Sequence, residues 1–386
     1  MKFDVAVVGA GLVGASFARA LAGSGLQVAL VDPGMPPTCS DEWDSRIYAI
    51  SPRNATFLAE CGAWQALDEA RVQSVQRMEI YGDASDARVS FSAYETGVAE
   101  LAFTVESGRL QRALWDGLAT QRDLTLFTSA RCTHLEIGSN AATLTLEEGA
   151  RIATSLVVGA DGASSWVRQQ AGLVATARSY GERGVVANFA CTRSHRGTAY
   201  QWFRSDGVLA YLPLPGPRMS MVWSTPDAHA GELLDLAPDA LCARVAEAGR
   251  HMLGNLEQLT PPAAFPLQLL VAKHIVAPRV ALVGDAAHVV HPLAGQGVNL
   301  GFADARTLAE VLRAREPSRD CGELALLRRF ERSRAEAILA MRGVTDGLQR
   351  LFAAQGSLIS GIRNRGLNLT ERMPVLKNLL VRQALG

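Results

Sequence analysis

Apolar residues gather in short runs that end in glycine, in an acid, or in both. Phe3 to Val8 is the first, followed by Gly9-Ala10-Gly11-Leu12-Val13-Gly14 and then a helical pattern through Phe17, Ala20 and Leu21. Val28 to Val31 is the second and ends in Asp32. A third, Leu156-Val157-Val158, runs into Gly159-Ala160-Asp161-Gly162 and a helix opened by Ser164-Ser165, and a fourth, Val280 to Val283, runs into Gly284-Asp285. Strand, turn and helix in that order predict an α/β fold in which one sheet collects several acid-bearing turns. Ser51-Pro52 reads as a helix N-cap with proline at the first helical position, starting a helix through Phe57 and Leu58 toward Gly62. Between Asp161 and Val280 the pattern changes. Val185–Ala190, Ala199–Arg204, Val208–Leu212 and Met219–Ser224 are short strand-like runs separated by Gly, Pro and charged turns, which predicts an antiparallel sheet. From Leu324 onward Leu327, Phe330, Ala337, Leu339 and Met341 predict a long helix, and Leu348, Leu351, Phe352, Leu358, Ile359 and Ile362 continue the apolar stripe.

Composition narrows the classes. The chain has 386 residues, 48% hydrophobic and 20% charged, enough for one large or two linked domains. Its formal net charge is zero and no basic stripe with interleaved aromatics is present, which argues against nucleic acid as a partner. The six cysteines (Cys39, Cys61, Cys132, Cys191, Cys242 and Cys321) form no C-x-x-C pair, so neither a zinc site nor a disulfide framework is expected, and reduced thiols in a cytoplasmic protein are the plain reading. The N-terminus reads as a strand rather than a signal peptide, and no apolar stretch reaches the length that spans a bilayer.

The glycines carry the candidate chemistry. Gly9, Gly11 and Gly14, between strand and helix and with Asp32 about twenty residues further on, form the dinucleotide fingerprint in its required context. Asp161 and Asp285 each offer a carboxylate at a strand's end, and Gly284 removes side-chain bulk so that a ligand can approach. Gly295-Gln296-Gly297-Val298 opens a helix whose free amides suit an anion or an electron-rich ring. His288 and His291 lie three apart, but no third ligand accompanies them, so no metal is expected. For His291, proton transfer and a structural hydrogen bond both remain open.

These segments resemble the three fingerprints of the class A flavoprotein aromatic hydroxylases, the group typified by para-hydroxybenzoate hydroxylase. Asp44 to Asn54 (DSRIYAISPRN), His291 to Gly301 (HPLAGQGVNLG) and Arg363 to Leu369 (RNRGLNL) resemble, more narrowly, the UbiH/UbiF/VisC family of ubiquinone-pathway hydroxylases, over the whole chain. The resemblance implies FAD. Gly9, Gly11, Leu12, Val13 and Gly14 would then meet the pyrophosphate, Asp32 (more often Glu in the family) the adenosine ribose, and Asp161, Gly284 and Asp285 the rest of the cofactor, with Asp285 on the ribitol. Arg46 and Arg109 match two arginines that reach the cofactor. Gly295, Gln296, Gly297, Val298 and Asn299 would lie at the pyrimidine edge, and His291 and Pro292, the catalytic candidates, near the oxygen-reacting face. The resemblance further implies a Rossmann-like FAD-binding domain with an inserted substrate domain. Tyr211, Leu212, Pro213 and Trp223 are candidates for the pocket wall, with plain core as the alternative. Val208 stands where the family usually has proline after the glycine.

On this reading 1–74, 106–174 and 277–330 form the FAD-binding domain, 75–105 and 175–276 the substrate domain, and 331–386 a C-terminal helical region. The implied reaction is hydroxylation of a polyprenylated phenol of ubiquinone biosynthesis, using O2 through a flavin C4a-hydroperoxide, with NAD(P)H as reductant. Rivals are the same chemistry on another aromatic or secondary metabolite, a flavin reductase or halogenase, and a non-catalytic flavoprotein subunit of a lipid-biosynthesis complex. No Trp-x-Trp-x-Ile-Pro run of the halogenase kind is present. Arg342, Arg350, Arg363, Arg365, Arg372, Lys377 and Arg382 face only Asp346 and Glu371 near the end of the chain. That bias suits contact with the inner membrane surface or with a ubiquinone-biosynthesis complex; packing on the FAD domain is the alternative.

Overall fold

In a computed structural model, residues 1–38, 40–82, 87–290 and 297–353 are described, apart from the side chains of 337 and 340–353. The strand Lys2–Val8 lies at the centre of the first sheet. Arg151–Gly159 runs parallel on one side of it, and Val28–Val31 parallel on the other. Val280–Leu282 and Leu124–Phe127 extend the parallel set outward, and Ala142–Leu146 and Cys132–Ile137 add an antiparallel ribbon. Covering by helices on both faces explains why these strands read as unbroken apolar runs rather than alternating ones: Val5, Val7, Leu30, Val157 and Ala281 are all fully buried. The register decides the site. Val8 pairs with Gly159 and with Val31, and Gly159 pairs with Leu282, so Gly9, Asp32, Asp161 and Gly284 all emerge at one edge of the sheet.

The second sheet is antiparallel except for one pair. Its order is His288–Val289, Ala263–Ala272, Ala175–Cys191, Arg218–Pro226, Gly207–Leu214, Thr198–Arg204, Arg77–Tyr81 and Arg88–Ser92, with Leu256–Gln258 also on Ala175–Cys191; Thr198–Arg204 and Arg77–Tyr81 run parallel. Ala175–Cys191 and Arg218–Pro226 outrun the predicted runs at both ends because polar residues on the solvated stretches interrupt the apolar pattern without interrupting the ladder. One face, bearing Val185, Ala187, Phe189, Met221 and Trp223, forms a separate core with the helices Asp227–Asp235 and Pro238–Ala248. A small sheet of Ile47–Ile50, Ala102–Glu106 and Gln73–Val75 completes the strands described.

The helix Leu324–Ala353 follows the predicted course. Leu327 and Phe330 are fully buried, whereas Leu339, counted in the same stripe, is 68% exposed. The remainder of that stripe and of the basic bias, including Leu348, Ile362 and Arg363, lies outside the described side chains. Among the described residues no helix is long and apolar enough to cross a membrane.

Candidate active site

Three glycines of the first loop are required for two different reasons. Gly9 has φ +102°, donates its amide to Val31 O at 2.8 Å, and would place a Cβ 2.4 Å from Ala160 O. A Cβ on Gly14 would stand 1.9 Å from Gly9 O. Both positions exclude a side chain because the protein itself is in the way. At Gly11 a Cβ would meet nothing within 4 Å, so protein packing does not explain the missing side chain there. Gly11 is the N-cap of the helix Leu12–Ala20, where free amides face open space. Asp32 lies alongside, its carboxylate accepting from Ala10 N at 2.6 Å and Gly34 N at 2.7 Å. Leu12 is buried, and Val13 wedges against the last motif, where Cβ atoms on Gly284 and Gly301 would come within 3.1 and 2.5 Å of its side chain.

The turn Gly284–Ala286, with Gly284 at φ +60°, is clamped from beneath. Asp304, on the helix Gly297–Arg313 and fully buried, accepts from Gly284 N at 3.0 Å and from His288 Nε2 at 2.7 Å through one oxygen, and from Arg334 Nε at 2.7 Å through the other. The opposite charges hold the Asp304 carboxyl below its ordinary range and lift His288 above its own, in spite of burial that works against both. Arg168 braces the turn from the side, donating to Ala286 O and Ala163 O, each at 2.8 Å.

Asp285 itself is exposed to solvent yet walled in by protein, as a side chain at the bottom of a cleft must be. Those walls raise its carboxyl, with His288 and Arg46 pulling it down and Asp304 pushing it up. Arg46 lies over the ring of Phe265 at 4.3 Å. Tyr48 joins the group, its hydroxyl pushed up by burial and by Asp285 and pulled down by Arg46 and Ser107. Asp161 accepts from Val167 N at 3.0 Å through one oxygen; the other is buried with no partner among the described residues. The helix that follows is capped by Ser165, which accepts from Arg168 N at 3.0 Å. One edge of one sheet thus offers backbone donors for an anion and carboxylates for hydroxyl groups. This donor and acceptor set, with the open space at Gly11, fits FAD.

Several expectations change. Tyr211 and Trp223 do not line the cleft: Trp223 is fully buried and Tyr211 is 2% exposed, both on the face that packs on helices, where the Tyr211 hydroxyl donates to Val245 O. Pro213 follows Tyr211 on that face by strand alternation and is also buried, its carbonyl accepting from Thr104 Oγ1 at 2.6 Å. The opposite face carries half-buried Leu212, Ala210 and Val222, and it is the face of Phe265, which pairs with Gly184, and hence of Arg46. Leu212 alone of the four candidates therefore lies on the face opposite the second core. Asn299 is committed to structure, donating to Ala49 O at 2.7 Å and accepting from Ser51 N and Asn54 Nδ2 at 2.9 Å each. Ser51 begins its helix with Pro52 at the first position, but its hydroxyl makes no cap. Arg109 pairs with Glu106 at 3.0 Å and reaches Ser40 O at 3.3 Å. Val298 packs half-buried against the first core, one residue beyond Gly297. His291, Pro292, Gly295 and Gln296 lie outside the described residues. Among the described residues no group of three or more His, Cys, Asp or Glu is placed to hold a metal.

Sequence reasoning passed over Asp304, Arg334, Arg168, Tyr48 and Phe265. A signal existed for the first: an acid in the apolar stripe Leu300, Ala305, Leu308 of a helix is a buried charge in want of partners.

Residues 2–342 match the profile of the FAD binding domain family. The chain is 35% identical over 388 residues to 3-demethoxyubiquinol 3-hydroxylase of Escherichia coli strain K12, covering 99% of this chain and 98% of that protein. It is 34% identical to the ubiquinone hydroxylase UbiL of Rhodospirillum rubrum, covering 99% and 89%. Among solved structures, p-nitrophenol 4-monooxygenase PnpA of Pseudomonas putida DLL-E4 superposes with a TM-score of 0.80 at 18% identity, covering 100% of this chain and 99% of that one, a likeness of fold. With the glycine loop, the three strand-end carboxylates and the clamped Gly284 turn gathered at one sheet edge, the chain belongs to the FAD binding domain family, as an FAD-dependent monooxygenase related to the ubiquinone-pathway hydroxylases.

Proposed function

We propose that this enzyme hydroxylates the ring of a polyprenylated phenol, an intermediate of ubiquinone biosynthesis, using O2 and NAD(P)H. The observation that carries the reading is the full-length relationship to a 3-demethoxyubiquinol 3-hydroxylase. A cleft wall built from Leu212, Ala210 and Val222, apolar and half-buried, suits a ring with a hydrocarbon tail. The domain limits read from the sequence belong to this proposal: FAD-binding segments 1–74, 106–174 and 277–330, substrate segments 75–105 and 175–276, and a C-terminal region 331–386.

Gly11 and the first amides of Leu12–Ala20 would hold the pyrophosphate. Asp32, already oriented by Ala10 and Gly34, would take the adenosine ribose, and Asp285 the ribitol. Asp161 has an oxygen to spare for the cofactor's vicinity. Arg46, held over the ring of Phe265, would face the cofactor, and its charge works against the burial that raises the Asp285 carboxyl. The bound FAD supplies the redox chemistry that activates O2 for transfer to an electron-rich ring. The protein's share is to hold the ring close and dry, for which the wall around Leu212 and Val222 provides the surface. A cytoplasmic enzyme whose C-terminal region meets the inner membrane or a biosynthetic complex completes the reading; its support is the basic and apolar sequence after Arg342. Profiling the quinones of a deletion strain tests the function: accumulation of a prenylated intermediate lacking one ring hydroxyl is expected, and an unchanged profile would remove the substrate assignment.

A further inference from the structure

Away from the cleft, one basin of about 670 Å³ is lined by Arg77, Arg193 and Arg196 together with Glu79, Tyr200 and Met252. Its floor is the parallel pair of strands in which Arg77 faces Thr198 and Glu79 faces Tyr200, so these residues project from the same side of the sheet. Three guanidinium groups meet a single carboxylate there. That carboxylate already accepts from the Tyr81 hydroxyl, and among the described residues no ion pair engages Arg77, Arg193 or Arg196. The basin therefore has a surplus of about two positive charges, the complement of a phosphate monoester near neutral pH.

The loop that presents Arg196 is built rather than slack. Arg196 has φ +50°, a conformation that an arginine adopts only when its surroundings hold it there. Those surroundings are visible. His195 is 5% exposed; its Nδ1 accepts from Gly197 N at 3.0 Å, which places the ring proton on Nε2, and Nε2 donates toward Leu214 O at 2.8 Å and Gly216 O at 2.9 Å. The imidazole is thus a pillar joining the loop to the end of the strand Gly207–Leu214. Arg196 N also donates to Ser194 Oγ at 3.2 Å. Opposite, Tyr200 turns one face to Trp202, 5.8 Å away and nearly parallel, which fixes the ring while the residue still lines the basin. Tyr200 and Met252 rest on the second core, whereas Arg77, Arg193 and Arg196 stand outside it without an ion pair among the described residues, Arg193 donating to His251 O at 3.4 Å.

We propose that this basin binds the phosphate group of a small anionic ligand, with Arg77, Arg193 and Arg196 as its donors. The site is separate from the FAD cleft and independent of the substrate assigned above. Calorimetric titration of the full-length, FAD-loaded enzyme tests it, since the occupied cleft leaves the adenosine site closed to the probe. The probes are inorganic phosphate and adenosine monophosphate at low and high salt. Saturable binding that weakens with salt is expected, with a loss of about tenfold or more in R77Q/R196Q. Equal affinities would assign the free ion, and tighter adenosine monophosphate would assign a ring-borne phosphate against Tyr200; either supports the site. Absence of saturable binding for both probes, or binding unchanged in R77Q/R196Q while the variant keeps its FAD and melting temperature, would overturn it.

Discussion

The buried carboxylate of Asp304 holds His288 at 2.7 Å. It also holds Gly284 N and Arg334, and so ties three parts of the chain, the cofactor turn and two long helices, to one side chain. Removing it leaves two cations buried without a counter-charge. Asp304→Ala should cost about 3–5 kcal/mol of stability, and should loosen the Gly284 turn enough to release FAD. Thermal melting and flavin absorbance of the purified variant check both; native stability with full flavin would contradict the clamp.

The same pair makes stability depend on pH in a defined sense. Asp304 is lowered in the fold, so its contribution is present above the ordinary carboxylate value of 3.8 and lost as pH falls through the lower folded value. His288 is raised, so its contribution is complete below its ordinary 6.5 and lost as pH rises through the higher folded value. A plateau between these limits is expected, with an alkaline shoulder that disappears in His288→Gln. Chemical denaturation across pH measures it, and an alkaline shoulder of equal size in the variant would dismiss the ion pair as its source.

Glycine substitutions separate folding from cofactor binding. Gly14→Ala should fold poorly, because its Cβ would stand 1.9 Å from Gly9 O. Gly11→Ala meets no protein atom within 4 Å and should melt near the parent when both are stripped of FAD, yet bind FAD more weakly, since only the cofactor needs that space. Melting of the apoproteins and flavin titration distinguish the cases. Equal FAD affinity in Gly11→Ala would place the pyrophosphate elsewhere.

Asp285→Ala should bind FAD about ten- to a hundredfold more weakly, the scale of a lost hydrogen bond to a charged group, about 1.5–3 kcal/mol. Flavin content after gel filtration reports it, and unchanged occupancy would refute the ribitol assignment.

The two faces of the second sheet predict opposite phenotypes. Trp223→Ala empties the buried core and should lose about 3–5 kcal/mol of stability. Leu212→Phe, on the cleft face, should leave melting near the parent and raise KM for a prenylated phenol. A change in melting temperature without a change in KM for Leu212→Phe would reverse the assignment of faces.

How far the sequence reaches differs between the sheets. The glycine loop, Asp32, Asp161 and Asp285 were legible because a buried parallel strand, a glycine turn and an acid are local and fall within a few residues of one another. The register that aligns Val8, Val31, Gly159 and Leu282 then brings them together. In the second sheet, alternation shows that Tyr211 and Leu212 face opposite ways but not which side meets the helices, since both sides carry apolar residues. Asp304 and Arg334 are thirty residues apart in chain order and join two helices, a contact that no local period encodes. The loop position of Asn299 is local, but the bonds of its amide to Ala49, Ser51 and Asn54, some 250 residues away, are not.

The most direct test is oxygen incorporation. The FAD-loaded enzyme, NAD(P)H and a short-chain prenylated phenol would be incubated under isotopically heavy O2 and the product weighed by mass spectrometry. A product carrying one additional heavy oxygen atom on its ring is predicted; oxidation of NAD(P)H with no oxygenated product, or oxygen drawn from water, would contradict the account.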